Sequence, residues 1–163
     1  MPLLSSISQK MKVKLLLAHL SPESTILEVG AGSGWLNDEL SKHGLHATTL
    51  DINKPADIVC DINNWRQNNI KPHEFDVVVA FELIEHVDCL DSLKNICKKD
   101  GLIMLSSPHP HWYWTIKILE ALHLNQKRTS PHVNLTDFKK INLPIIKRKR
   151  PLFIHQVAIF KNA

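Results

Sequence analysis

Short apolar runs alternate along this chain with stretches whose apolar residues recur at helical spacing, predicting strands and helices in turn. The first run, Thr25-Ile26-Leu27-Glu28-Val29, is β-prone and ends in glycines. A helix is expected from Trp35 to His43, with Leu36 and Leu40 one turn apart and Gly44 as its stop. Ala47 to Leu50 reads as a second strand ending at Asp51, and Asp57 to Cys60 as a short third one ending at Asp61. The run from Phe75 to Phe81 is continuously apolar rather than alternating, apart from Asp76. That pattern indicates a strand buried on both faces, in the middle of a parallel sheet. A helix-like segment from Asp88 to Lys98 precedes a fifth strand, Gly101 to Leu105, and another helix is expected from Trp112 to Leu122. The end reads as two strands, near Leu143 to Lys147 and His155 to Phe160. Near the start, Met11 to Leu20 has the pattern of a basic amphipathic helix packed at the edge of the domain. This order implies an α/β, doubly wound, mostly parallel sheet with helices on both faces and right-handed crossovers. Ligands of such sheets bind outside the carboxyl ends of the strands.

Composition narrows the picture. A chain of 163 residues suits one domain. With 44% apolar and 22% charged residues, it belongs with globular rather than disordered proteins. No apolar run approaches the ~18 residues of a membrane span, and the N-terminal stretch lacks the layout of a secretory signal. Cys60, Cys89 and Cys97 form no CxxC pair and leave an odd cysteine, which suits a reduced, cytoplasmic protein. The formal charge of +4 concentrates in Lys147-Arg148-Lys149-Arg150, either a solvated hairpin tip or a nucleic-acid contact.

The most informative segment is Glu28-Val29-Gly30-Ala31-Gly32-Ser33-Gly34, where the first strand turns into a helix. Glycines allow a tight turn with positive φ and let a ligand approach where a Cβ would collide. A dinucleotide fingerprint wants GxGxxG, but the third glycine position, counted from Gly30, holds Trp35. Asp51 closes the next strand, and a carboxylate there can accept hydrogen bonds from both hydroxyls of a ribose. The pair points to an adenosine-containing ligand.

ILEVGAGSGWLNDEL, TTLDIN, CDINNW and FDVVVAFELIEHV together resemble the successive motifs of class I S-adenosylmethionine-dependent methyltransferases, especially the small-molecule, ubiquinone-pathway type. The resemblance implies a Rossmann-like seven-stranded sheet whose last strand runs antiparallel. It also implies a single domain over 1–163: an N-terminal helical edge (1–24), a cofactor half (25–107) and an acceptor side (108–163). By the same resemblance Gly30, Gly32 and Gly34 shape the turn around the methionine part of S-adenosylmethionine. Glu28 helps to hold its amino group, Asp51 binds the ribose, Asp61 and Ile62 meet the adenine, and Ala31, Ile52 and Phe81 complete the set.

Methyl transfer to oxygen or nitrogen also needs a group that takes the acceptor's proton. Glu82, Glu85 and His86 stand at i, i+3 and i+4, so a helical turn would gather them on one face. His86 then serves either as the base or as a brace for the turn. The ExxEH pattern with the distant His132 also resembles the metal-binding pattern of ubiquinone-pathway and small-RNA methyltransferases. That would make Glu82, Glu85, His86 and His132 ligands of a divalent cation, although no metal is expected to be needed. The loop from Ser107 to Trp114 should border the acceptor: His109, Trp112 and Tyr113 either contact it or, like Trp114, anchor the next helix. The reading that results is a methyltransferase with a small-molecule acceptor. An RNA or protein acceptor, or a non-catalytic module on the same fold, stand as alternatives.

Overall fold

The computed structural model describes residues 3–110, 135–151 and 155–163. Among them a seven-stranded sheet runs in the order β3-β2-β1-β4-β5-β7-β6. Its strands are β1 (Ile26–Val29), β2 (Ala47–Asp51), β3 (Ile58–Val59), β4 (Phe75–Phe81), β5 (Cys97–Pro108), β6 (Ile145–Lys149) and β7 (His155–Lys161). β1 to β5 pair in parallel, and β7 runs antiparallel to both β5 and β6, as the sequence resemblance implied. The strand order reverses between β1 and β4, so the crevice at their carboxyl ends is the place for a ligand.

Alternate residues of β4 explain its continuous apolar run. Val77 and Val79 pack with Ile26, Met104 and Ile159 on one face, beneath the helices α1 (Leu3–Leu17) and α2 (Trp35–Ser41). Val78 and Ala80 pack on the other face with Leu27, Ile103, Trp65 and Phe138, beside α3 (Leu90–Ile96).

Several boundaries differ from the sequence expectations. α1 begins at Leu3 rather than Met11, since no glycine or proline interrupts residues 3–10, and it ends at Leu17 rather than Leu20. Nor is it basic only on its outer face, because Lys12 is just 6% exposed. β5 starts directly after α3 and includes Asp100 and Gly101, which bulge out between the pairs Phe75↔Cys97 and Val77↔Leu102. The basic cluster is not a hairpin tip. Lys147, Arg148 and Lys149 lie within the edge strand β6, where charge discourages further strand pairing. The helix expected over 112–122 lies outside the described residues. No helix among the described residues is long and apolar enough to cross a membrane.

Candidate functional site at the carboxyl ends of β1, β2 and β4

β1 ends in a turn whose three glycines all have positive φ: 75° at Gly30, 53° at Gly32 and 75° at Gly34. A Cβ on Gly30 would stand 3.3 Å from Leu83 Cδ1, whereas in front of Gly32 and Gly34 there is open space. The turn is fixed to the next strand: the Gly30 N–H donates to the Leu50 carbonyl (2.8 Å), and the Gly32 N–H to Asp51 Oδ2 (3.0 Å). Asp51 Oδ1 accepts from the Asn53 N–H at 2.9 Å. Each carboxylate oxygen therefore has one protein donor and room for another. The Cys60 N–H donates to the Asp51 carbonyl, which brings the ends of β2 and β3 together and sets Asp61 near Asp51. Asp61 Oδ1 caps the following 3₁₀ helix through the Asn63 N–H, Ile62 packs inward, and Ile52 is 68% exposed at the rim.

Glu28 lies beneath this turn, 3% exposed, and its Oε2 has no hydrogen-bond partner among the described residues. Burial, with Asp51 and Asp38 nearby, pushes its carboxyl from an ordinary 4.5 up to about 7. A buried, unsatisfied acceptor is costly in a structural role, by about 1–3 kcal/mol, and is a natural partner for a cationic ligand group.

At the end of β4 the Phe81 ring stacks on Trp35 (centroids 6.0 Å apart, planes at 17°), and Lys12 Nζ stands 5.1 Å above it. Glu82 follows with φ +53°, a conformation that non-glycine residues rarely adopt. Its N–H donates to the Ser106 carbonyl, and its Oε1 accepts from Lys12 Nζ (2.7 Å) and Ser106 Oγ (2.8 Å). His155 Nδ1 lies 3.4 Å from Oε2. Burial alone would raise the Glu82 carboxyl, but the Lys12 ammonium and His155 outweigh it and hold the group well below the ordinary range. Glu85, fully buried, has no hydrogen-bond partner for either oxygen among the described residues. Burial and the neighbouring Glu82 carboxylate push it up to about 9, so it is neutral at pH 7.

The sequence profile of a methyltransferase domain matches residues 8–142. The chain belongs to this methyltransferase family. A curated relative, the ubiquinone biosynthesis O-methyltransferase of Actinobacillus pleuropneumoniae serotype 7, is 28% identical over 104 residues, covering 50% of this chain and 44% of that protein. The chain thus spans less than half the length of that relative. Among solved structures, the magnesium protoporphyrin IX methyltransferase of Synechocystis PCC 6803, with bound S-adenosylhomocysteine, superposes with a TM-score of 0.70 at 12% identity, covering 98% of this chain and 84% of that one. The Burkholderia thailandensis 1,6-didemethyltoxoflavin-N1-methyltransferase gives 0.62 at 14% identity, covering 94% and 77%. Both likenesses concern the fold.

Within this methyltransferase domain, the expected cofactor residues Glu28, Gly30, Ala31, Gly32, Gly34, Asp51, Ile52, Asp61, Ile62 and Phe81 all fall at the carboxyl ends of β1 to β4 or in the segments just after them. The turn after β4 differs from expectation. The His86 and Val87 N–H groups both donate to the Leu83 carbonyl, which makes a tight turn, but Glu82 stays outside it and is drawn to α1 instead. Glu82, Glu85 and His86 are therefore not one helical face, and no three His, Cys, Asp or Glu side chains among the described residues gather as a metal site. His109 is buried at the end of β5; Trp112, Tyr113, Trp114 and His132 lie outside the described residues. Sequence reading missed Lys12, Ser106 and His155. The signals for them were faint: a lysine inside an apolar run, and polar residues where β5 ends and β7 begins.

Proposed function

We propose that this chain is an S-adenosylmethionine-dependent methyltransferase acting on a small-molecule acceptor through oxygen, nitrogen or carbon. The observation that carries the reading is the open glycine turn joined to two acidic groups with unused acceptor capacity, Glu28 below and Asp51 beside it. Asp51 would take the ribose hydroxyls on the lone pairs left free by Gly32 and Asn53. Glu28 would take the ammonium of the methionine part, which favours its ionised form. Ile52 and Asp61, brought together by the β2–β3 pairing, would flank the adenine, with Ala31, Ile62 and Phe81 shaping the walls.

The bound donor supplies a methyl group on a sulfonium, already activated for in-line displacement. What remains for the chain is to align the acceptor, keep water out and take a proton. In this reading His86, in the turn after β4, would receive that proton, and His109, Trp112 and Tyr113 would contact the acceptor. Isothermal titration with S-adenosylhomocysteine tests the assignment. Asp51→Ala should weaken binding at least ~100-fold, about 2.7 kcal/mol, since two charge-assisted hydrogen bonds are lost. An unbound ligand, or one indifferent to Asp51→Ala, would remove the reading.

A further inference from the structure

Lys12 is a buried ammonium on α1, and its contacts lead to the glycine turn by two routes. The first runs through Glu82. A positive φ at a glutamate persists only where surrounding contacts over-determine it. Ser106 and His155 hold Glu82 from the β5–β7 side, and Lys12 holds it from α1. The next residue, Leu83, packs against Gly30 so closely that a Cβ there would meet it at 3.3 Å. The second route runs through Phe81. Lys12 Nζ stands over one ring of the Phe81–Trp35 stack, and Trp35 is the residue that follows Gly34.

The geometry points to Lys12 as a positioning residue for donor binding: one ammonium on α1 fixes both ends of the turn, through Glu82 and Leu83 at Gly30, and through Phe81 and Trp35 at Gly34. The inference rests on the donor-site reading above and adds a part for the N-terminal helix in it. Hydrophobic contacts of Val13, Leu15 and Leu16 dock α1 on the sheet whether or not Lys12 is charged. The ammonium is therefore not needed to keep the helix in place. Its consequence is at the site.

The test uses the full chain and titrates S-adenosylhomocysteine and S-adenosylmethionine into four proteins: unaltered, K12M, E82Q and V13A, each with a thermal melt. K12M keeps the length and apolar stem of the side chain and removes the charge. It should weaken both ligands about tenfold, the size of a modest coupling between neighbouring sites. E82Q keeps the shape of the glutamate and its acceptor for Ser106 while ending the ion pair, so it should weaken them in the same direction. V13A loosens the packing of α1 next to Lys12, and should lower the melting temperature without changing either affinity.

The assignment is overturned if K12M and E82Q bind like the unaltered protein, or if V13A weakens binding as much as K12M, which would make the effect one of general loosening. It is also overturned if K12M tightens S-adenosylmethionine. Lys12 would then act only as a cation repelling the sulfonium. If the unaltered protein binds neither ligand, the donor site itself is at fault, and that outcome is distinct from the other three.

Discussion

The two ends of the sheet treat their polar groups in opposite ways. At the amino ends of β1 and β4, Asp76 Oδ2 accepts from the N–H and hydroxyl of Thr25, and Oδ1 from Lys98 Nζ at 2.7 Å. The Lys98 and Thr25 hydrogen bonds hold its carboxyl down to about 2. Nearby, Asn162 Nδ2 reaches the carbonyls of Lys94, Cys97 and Lys98 within 3.1 Å and ties the end of α3 to the start of β5. At the carboxyl ends, Glu28 and Glu85 are buried with unused oxygens and raised to about 7 and about 9. One end has its polar groups matched within the chain. The other carries groups without a partner among the described residues, and such costly groups cluster where ligands use them.

The sharpest way to break this contrast is to damage the matched end and watch the other. A Cβ on Gly101 would stand 2.8 Å from the Asp76 carbonyl, the Lys98 carbonyl and Cys97 Sγ. Gly101→Ala should therefore lower stability by about 2–3 kcal/mol, because two of those neighbours are backbone and cannot step aside. Urea unfolding would measure the loss. S-adenosylhomocysteine affinity of the folded fraction should be unchanged, and a large change would mean that the two ends are coupled.

The ends should also differ in the sign of their pH dependence. Glu28 and Glu85 hold protons in the folded chain that the unfolded chain releases near 4.5. Their favourable contribution is complete below that value and is lost as pH rises through about 7 and then about 9, with a slope of up to about 1.4 kcal/mol per pH unit for each. Asp76 works in reverse: its contribution is present above 3.8 and disappears as pH falls toward 2. Melts of the ligand-free protein should fall in temperature between pH 5 and 8, and Glu28→Gln should flatten the part below 7. A melting temperature that climbs steadily over that interval would contradict the placement of both glutamates.

A smaller effect separates cost from use at Glu85 itself. Replacing it with methionine removes a buried, unpartnered carboxyl without leaving a hole, so Glu85→Met should be stabilising by about 1 kcal/mol. If the group serves the site, turnover to S-adenosylhomocysteine should fall at the same time. A variant that is both more stable and fully active would show Glu85 to be incidental.

The sheet was largely legible from sequence because β1 and β4 are apolar runs, and β1 and β2 end at a glycine and an aspartate. The glycine turn after β1 was legible for the same reason, since Gly30 to Gly34 and Asp51 are local signals. The start of β5 was not: Asp100-Gly101 looks like a break between elements, and only the crowding around Gly101 makes it a bulge within one strand. Nor could spacing reveal that Glu82 leaves its own turn to meet Lys12, 70 residues earlier, or that β7 brings His155 beside it. Helical periodicity assigns a lysine to the solvent face by default, and overturning that default takes a carboxylate brought in from another element, which periodicity cannot see.

The place of β7 also bears on how the domain is made. It lies between β5 and β6, but is synthesised after both. While the ribosome is still working through the intervening stretch, β1 to β5 can already stack in parallel order, and the outer edge of β5, apolar from Leu102 to Leu105, then has no strand paired to it. For that interval the nascent chain is most open to sticking to itself or to a neighbour. The fold becomes safe only when its last strand slots into the gap.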